Sequence, residues 1–267
     1  MSTRSLLSSL LLLTLLVDCC CAECSAIQEG CYCRRKYIFT TYIFCEGLGH
    51  SSGVPHFKKT NETYQSIYFT KGTQIDTIHD GAFENIRVAT ISMQGIGLRS
   101  ILPGAFRGLE NHLEELHLQD NDLTVFPIEA LQGLVRLRYL GLENNFLQVL
   151  PDEGLLGVPN LEYFVAFNNE IHDVHPGFFG KTFQLHGIHL SNNRITQLNE
   201  RTFWMQNKLI DLELSGNHLS NISEGLFWNL PRLARLDISN CTITELPLKS
   251  FYYAYKLAYL DLSYNQI

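Results

Sequence analysis

Apolar residues recur along most of this chain in one fixed frame. Leu113, Leu116, Leu118 and Leu123 surround a single amide, Asn121, and Leu209, Leu212, Leu214 and Leu219 surround Asn217 in the same way. The frame returns every 24 residues, so its amide column reads Asn121, Asn145, Asn169, Asn193, Asn217, Cys241 and Asn265. A constant period of this length predicts a stacked-repeat solenoid, in which each repeat buries its apolar face only against its neighbours. Nine repeat strands are expected to begin at Tyr64, Val88, Leu113, Leu137, Leu161, Leu185, Leu209, Leu233 and Leu257. A second column, Phe83, Phe106, Leu131, Leu155, Phe179, Phe203, Phe227 and Phe251, falls in the return halves and predicts an internal spine beneath the convex side.

The frame weakens toward the N-terminus. Val88, Ile91, Met93 and Leu98 keep its apolar positions but place Ile96 where the amide belongs, and one residue is inserted before Leu113. Tyr64, Ile67 and Phe69 mark a still weaker first repeat. Departure from consensus is expected of a terminal repeat, which has a neighbour on one side only.

The complete frame, L-x-x-L-x-L-x-x-N-x-L, resembles that of the leucine-rich-repeat family over residues 64–267. The resemblance implies an α/β solenoid: a curved horseshoe with a parallel sheet on its concave face and a disulfide-bonded N-terminal cap. It also implies that each frame Asn buries its amide to satisfy backbone groups where the chain leaves the strand, with Cys241 as an accepted substitute. A buried amide requires such partners. The block from Ala105 to Leu116, with its extra residue after Gly108-Leu109-Glu110, and the Phe126-Pro127 pair are similar to arthropod chaoptin-like adhesion proteins and to the non-catalytic subunit of oplophorus-type luciferase. That likeness implies an extracellular binding or accessory protein with no catalytic residues to carry over.

Residues 1–22 read as a secretory leader: Arg4 precedes the leucine-rich stretch Leu6 to Val17, and Cys20 and Ala22 are small residues suited to cleavage after Ala22. A stretch of this length is too short to span a bilayer, which takes about 20 apolar residues. No other segment reads as a membrane span. Secretion recasts the cysteines of the expected cap, residues 23–63. Cys24, Cys31, Cys33 and Cys45 become a disulfide framework, with a zinc site as the alternative because four thiolates can hold that metal. The family resemblance implies pairing of Cys24 with Cys33 and of Cys31 with Cys45. The sequons at Asn61, Asn221 and Asn240 predict exposed, glycosylated positions in the same compartment.

Hydrophobic residues make up 45% of the chain and charged residues 18%, which suits a folded elongated core. A net charge of −7 disfavours nucleic acid as a partner. The basic cluster Arg34, Arg35 and Lys36 reads as a solvated cap surface. Function is then expected on the concave strand face, where the x positions of the frame form columns about 4.8 Å apart. One column runs Tyr68, Ser92, His117, Gly141, Val165, His189, Glu213, Asp237 and Asp261. Its neighbour runs Ser66, Thr90, Glu115, Tyr139, Tyr163, Gly187, Asp211, Arg235 and Tyr259. The predicted contact site is therefore an aromatic and apolar centre, Tyr139, Tyr163, Val165 and Phe167, flanked by an acidic half, Asp211, Glu213, Asp237 and Asp261. Exposed aromatics favour an interface, the alternative being cross-strand packing. The carboxylates leave a basic partner or calcium open.

Catalysis finds little support. His117 and His189 lie three strands apart in their column, about 14 Å at the strand spacing, too far to share a metal or proton relay. His189 beside Glu213 lacks an enclosed pocket and a third positioned group, and no hydrolase, metalloprotease or phosphate-loop motif occurs. The reading is a secreted, non-enzymatic module without cofactor or metal that binds an extracellular protein. Its rivals are an accessory subunit of a secreted oxidase or luciferase-like enzyme and a fragment of a membrane-anchored adhesion or signalling ectodomain. Because the chain stops at the eleventh position of its ninth repeat, Leu257, Leu260, Leu262 and Ile267 are expected to line an uncovered edge, open to self-association.

Overall fold

A computed structural model describes residues 30–37, 40–49, 53–70 and 72–267. The expected leader, and Cys24 of the cap, lie outside the described residues. Two strands open the fold, β1 (Cys31–Tyr37) and β2 (Thr40–Glu46), paired antiparallel. Every later pairing in the main sheet is parallel. It joins β2 to β3 (Thr63–Thr70), β5 (Arg87–Ser92), β7 (Glu115–His117), β8 (Tyr139–Gly141), β10 (Tyr163–Val165), β12 (Gly187–His189), β13 (Asp211–Glu213), β14 (Arg235–Asp237) and β15 (Tyr259–Asp261). The nine repeat strands and their register are those the frame predicts, including the 25-residue step from Thr90 to Glu115 across the inserted residue.

Two short parallel pairs stitch the return paths. Strand β4 (Thr77–Ile78) pairs with β6 (Ser100–Ile101), and β9 (Val149–Leu150) with β11 (Asp173–Val174). Among the described residues the returns contain no helix, so the solenoid is built of strands and turns. The chain closes each return by three-residue steps, for instance Ala105 N–H to Leu102 O, Arg107 N–H to Gly104 O and Leu109 N–H to Phe106 O. Such turns are narrower than α-helices. They bring consecutive returns close enough for the spine to stack: Phe83 on Phe106 at 5.9 Å, Phe179 on Phe203 at 5.7 Å and Phe227 on Phe251 at 5.6 Å. Phe57 extends the spine into the cap, 6.1 Å from Phe83.

The amide column works as a hydrogen-bond ladder through the core. Asn193, buried, donates from Nδ2 to Ala166 O and Leu190 O, each at 3.0 Å, and its Oδ1 accepts from Ile171 N–H at 3.0 Å. Asn145, Asn169 and Asn217 repeat this, each accepting from a backbone N–H 22 residues before it and donating to a carbonyl 27 residues before it. At the sixth rung Cys241 keeps half of it: its buried thiol donates to Leu214 O at 3.2 Å but offers no oxygen to Leu219 N–H. Cys241 is the free cysteine among the described residues, and burial pushes its thiol pKa up.

A second ladder lies outside the first. The residue before the amide position of the frame, whether or not an Asn fills that position, takes a left-handed conformation: Gly95, Asp120, Asn144, Asn168, Asn192, Gly216, Asn240 and Tyr264, with φ from 52° to 69°. Asn, Asp and Gly tolerate that region best. Where Asn or Asp sits there the side chains link in series, Asn144 to Asp120 at 2.6 Å, Asn168 to Asn144 at 2.8 Å and Asn192 to Asn168 at 2.9 Å. Gly216 ends the series. A Cβ there would stand 2.2 Å from Asn192 Oδ1.

Candidate functional site on the concave sheet

Alternation along each strand sends the central apolar residue of the frame inward and its two neighbours onto the concave face. The resulting columns match the predicted ones in register from Tyr68 to Asp261 and from Ser66 to Tyr259. At the centre, two tyrosines lie flat on the sheet because a glycine beside each leaves room. The Tyr139 ring sits 4.7 Å from the His117 ring and over Gly141, whose Cβ would be 3.0 Å from Tyr139 Cε1. Tyr163 covers Gly187, where a Cβ would be 2.8 Å from its Cδ1. Tyr163 is 44% exposed, whereas Val165 is 6% exposed. Val165 therefore forms floor beneath the site, and Phe167, half-buried, borders it.

Electrostatics tighten this centre. Tyr139 has its pKa pushed up to about 12, first by burial and then by the charges of Glu143 and Glu115, so its hydroxyl stays a neutral donor. Burial likewise raises the Glu143 carboxyl, and its Oε2 is buried without a hydrogen-bond partner.

The acidic half is more compensated than its composition suggests. Arg235 lies across two of the carboxylates, 3.6 Å from Asp211 and 3.2 Å from Glu213, with its guanidinium 5.0 Å above the Tyr259 ring. His189 lies between the same pair, 3.7 Å from Asp211 and 4.0 Å from Glu213. Asp237 accepts from Ser239 N–H and Oγ, and hydrogen bonds from Ser263 hold the Asp261 carboxyl below its usual range. Ligand atoms of His189, Asp211 and Glu213 lie within 4.8 Å of one another, the spacing a cation needs. Arg235 already offsets one of those two negative charges, so a metal ion there would have to compete with a guanidinium.

The structure adds a patch that the repeat frame did not reach. The cap strands continue both columns: Tyr32 pairs with Phe44, Phe44 with Tyr68, and Arg34 with Tyr42. Tyr32, Phe44 and Tyr68 stack at 5.5 and 5.2 Å, and Arg34 lies 5.5 and 5.6 Å above the first two rings. The concave face thus runs from a cationic aromatic end, through the tyrosine centre, to a compensated acidic end. Alternation within Cys31–Tyr37 and Thr40–Glu46 carried the signal: the core side takes Cys33, Ile43 and Cys45, and the other side takes Tyr32, Arg34, Tyr42 and Phe44.

Cys31 and Cys45 face each other across the hairpin and form a disulfide, with Cα atoms 4.1 Å apart. Cys33 is also disulfide-bonded. The three sequon asparagines, Asn61, Asn221 and Asn240, are all exposed.

The comparisons agree with this geometry. The leucine-rich-repeat family model matches residues 111–171, 164–219 and 184–243, which together with the frame and its amide ladder supports membership of the leucine-rich-repeat family. Solved structures of the same fold include a leucine-rich-repeat protein of Leptospira interrogans, 25% identical with TM-score 0.64, covering 74% of this chain and 49% of that one. TLR13 in its complex with ssRNA13 is 22% identical with TM-score 0.67, over 76% of this chain and 28% of its own. Toll in the Drosophila Toll–Spatzle complex is 20% identical with TM-score 0.58, over 76% and 33%. This chain therefore spans about a quarter to a half of the length of those structures. No curated protein matches it. Among the described residues no helix is long and apolar enough to cross a membrane.

Proposed function

We propose that the chain is a secreted, non-enzymatic module that recognises a protein through its concave sheet, with Tyr139, Tyr163 and Phe167 at the centre of contact. The observation that carries this reading is the pair of tyrosine rings held flat over Gly141 and Gly187 on an open face. A side chain at either glycine would lift the ring, so the arrangement presents aromatic surface instead of burying it. Such rigid aromatics supply large contact area at little entropic cost. Arg34 with its ring stack and the carboxylates Asp211, Glu213, Asp237 and Asp261 then fix orientation at the two ends. The Toll–Spatzle complex among the similar structures is an assembly on this fold. Although another similar structure is a complex with single-stranded RNA, a net charge of −7 and carboxylates on the concave face argue against a polyanion here. The leader, the Cys31–Cys45 bridge and the exposed sequons support an oxidising extracellular setting, with Cys33 paired to Cys24, and with glycans on Asn61, Asn221 and Asn240.

The test is capture of partners from native extracellular fluid on the immobilised protein, compared with Tyr163→Ala/Phe167→Ala. A protein recovered by the native chain and lost with the double variant supports the reading. Equal recovery on both surfaces refutes it.

A further inference from the structure

The returns of the last repeats carry aromatic surface that the strand face does not explain. Trp204, Trp228, Asn229, Pro231, Tyr253 and Tyr255 line an open cleft of about 450 Å³, on the opposite side of the repeats from the concave columns. Trp204, Tyr253 and Tyr255 are exposed, the last by 75%. The cleft is held in shape by its own bonds. Trp228 Nε1 donates to Lys249 O at 3.2 Å, and Asn229, in a left-handed conformation with φ 59°, donates to Trp204 O at 2.7 Å. Trp228 meets Tyr253 edge to face at 5.6 Å and 82°, and Tyr253 meets Tyr255 at 6.3 Å and 88°, so the rings stand as fixed walls at right angles.

We propose that this cleft binds a neutral oligosaccharide. Its lining is wholly uncharged in a chain with 18% charged residues, so it offers an ionic ligand nothing to pair with. Flat rings provide faces for the C–H surface of a pyranose, while the Asn229 carbonyl oxygen and the two phenol hydroxyls provide acceptors and donors for its hydroxyl edge. An aliphatic chain would leave those polar groups without a role. A few placed polar groups in an aromatic cleft of this size is the general form of a small-ligand site. Because the cleft lies away from the strand columns, the proposal stands apart from protein recognition on the concave face.

Both tryptophans of the chain line this cleft, so tryptophan emission of the full chain reports on it alone. Titration with cellobiose, lactose, maltose and chitobiose is expected to give a saturable change in emission with at least one of them. Tyr255→Ala, at an exposed position, should weaken that affinity about tenfold with unfolding unchanged, the loss of one stacking ring. Trp204→Phe, which keeps a ring and leaves Trp228 as reporter, should weaken it less. No saturable response to any of the four sugars would overturn the proposal. So would an unchanged affinity in Tyr255→Ala, or saturation by a polyproline peptide with none by the sugars, which would make the cleft a peptide groove.

Discussion

Six of the nine repeats depend on one residue, the frame amide. Asn193 satisfies Ala166 O, Leu190 O and Ile171 N–H at once, and an orphaned buried backbone group costs about 1–3 kcal/mol. Asn193→Leu should therefore lower stability by at least about 3 kcal/mol in denaturant unfolding, although leucine is more apolar and of similar size. Cys241→Asn should do the opposite. It supplies the missing acceptor to Leu219 N–H and should add about 1 kcal/mol. The inner column was legible because burial of one amide type at a constant period leaves an unmistakable trace. The outer one was not read from the sequence, although the pairs Asn144-Asn145, Asn168-Asn169 and Asn192-Asn193 contain it. Its cause is backbone handedness at the strand exit, and a pattern of apolar positions is blind to that.

Among the elements, the strands and their neighbours followed from the period, since a 24-residue offset fixes register once one strand is placed. The returns did not follow: the same apolar column suits helix or turn, and only the three-residue hydrogen-bond steps decide. The cap columns were missed for a different reason, because β1 and β2 pair antiparallel and stand outside the repeat frame. On the strand face, the raised Glu143 carboxyl gives a pH prediction. A folded pKa above the unfolded one means that the fold favours the protonated form, so this group's contribution is most favourable below the ordinary carboxylate range and is lost as pH rises through the raised value. Glu143→Gln should consequently be more stable than the native chain near neutral pH, with the difference shrinking toward pH values of about 4. A variant that is destabilised at neutral pH would mean that the charge is compensated.

For the molecule as a whole, the sheet is a rigid strip whose chemistry changes from end to end, and the solenoid core beneath it is nearly continuous from Cys33 to Ile243. Of the aromatic centre expected from the sequence, Tyr139 and Tyr163 stand on the face while Val165 is buried, because spacing assigns a residue to a side but not the depth its neighbours leave it. The acidic half was legible as composition but not as charge, since Arg235 folds onto two of its carboxylates. The central claim is that the tyrosine centre serves recognition and not stability. Its most direct test compares Tyr163→Ala/Phe167→Ala with Phe164→Ala, whose ring is fully buried one residue away against Phe126, Phe178 and Phe179. In parallel unfolding and partner-binding measurements, Phe164→Ala should lose about 3–5 kcal/mol of stability. The double surface variant should stay within about 1 kcal/mol of the native chain while its affinity for the captured partner falls at least about thirtyfold. Native affinity in the double variant, or unfolding as severe as that of Phe164→Ala, would contradict the account.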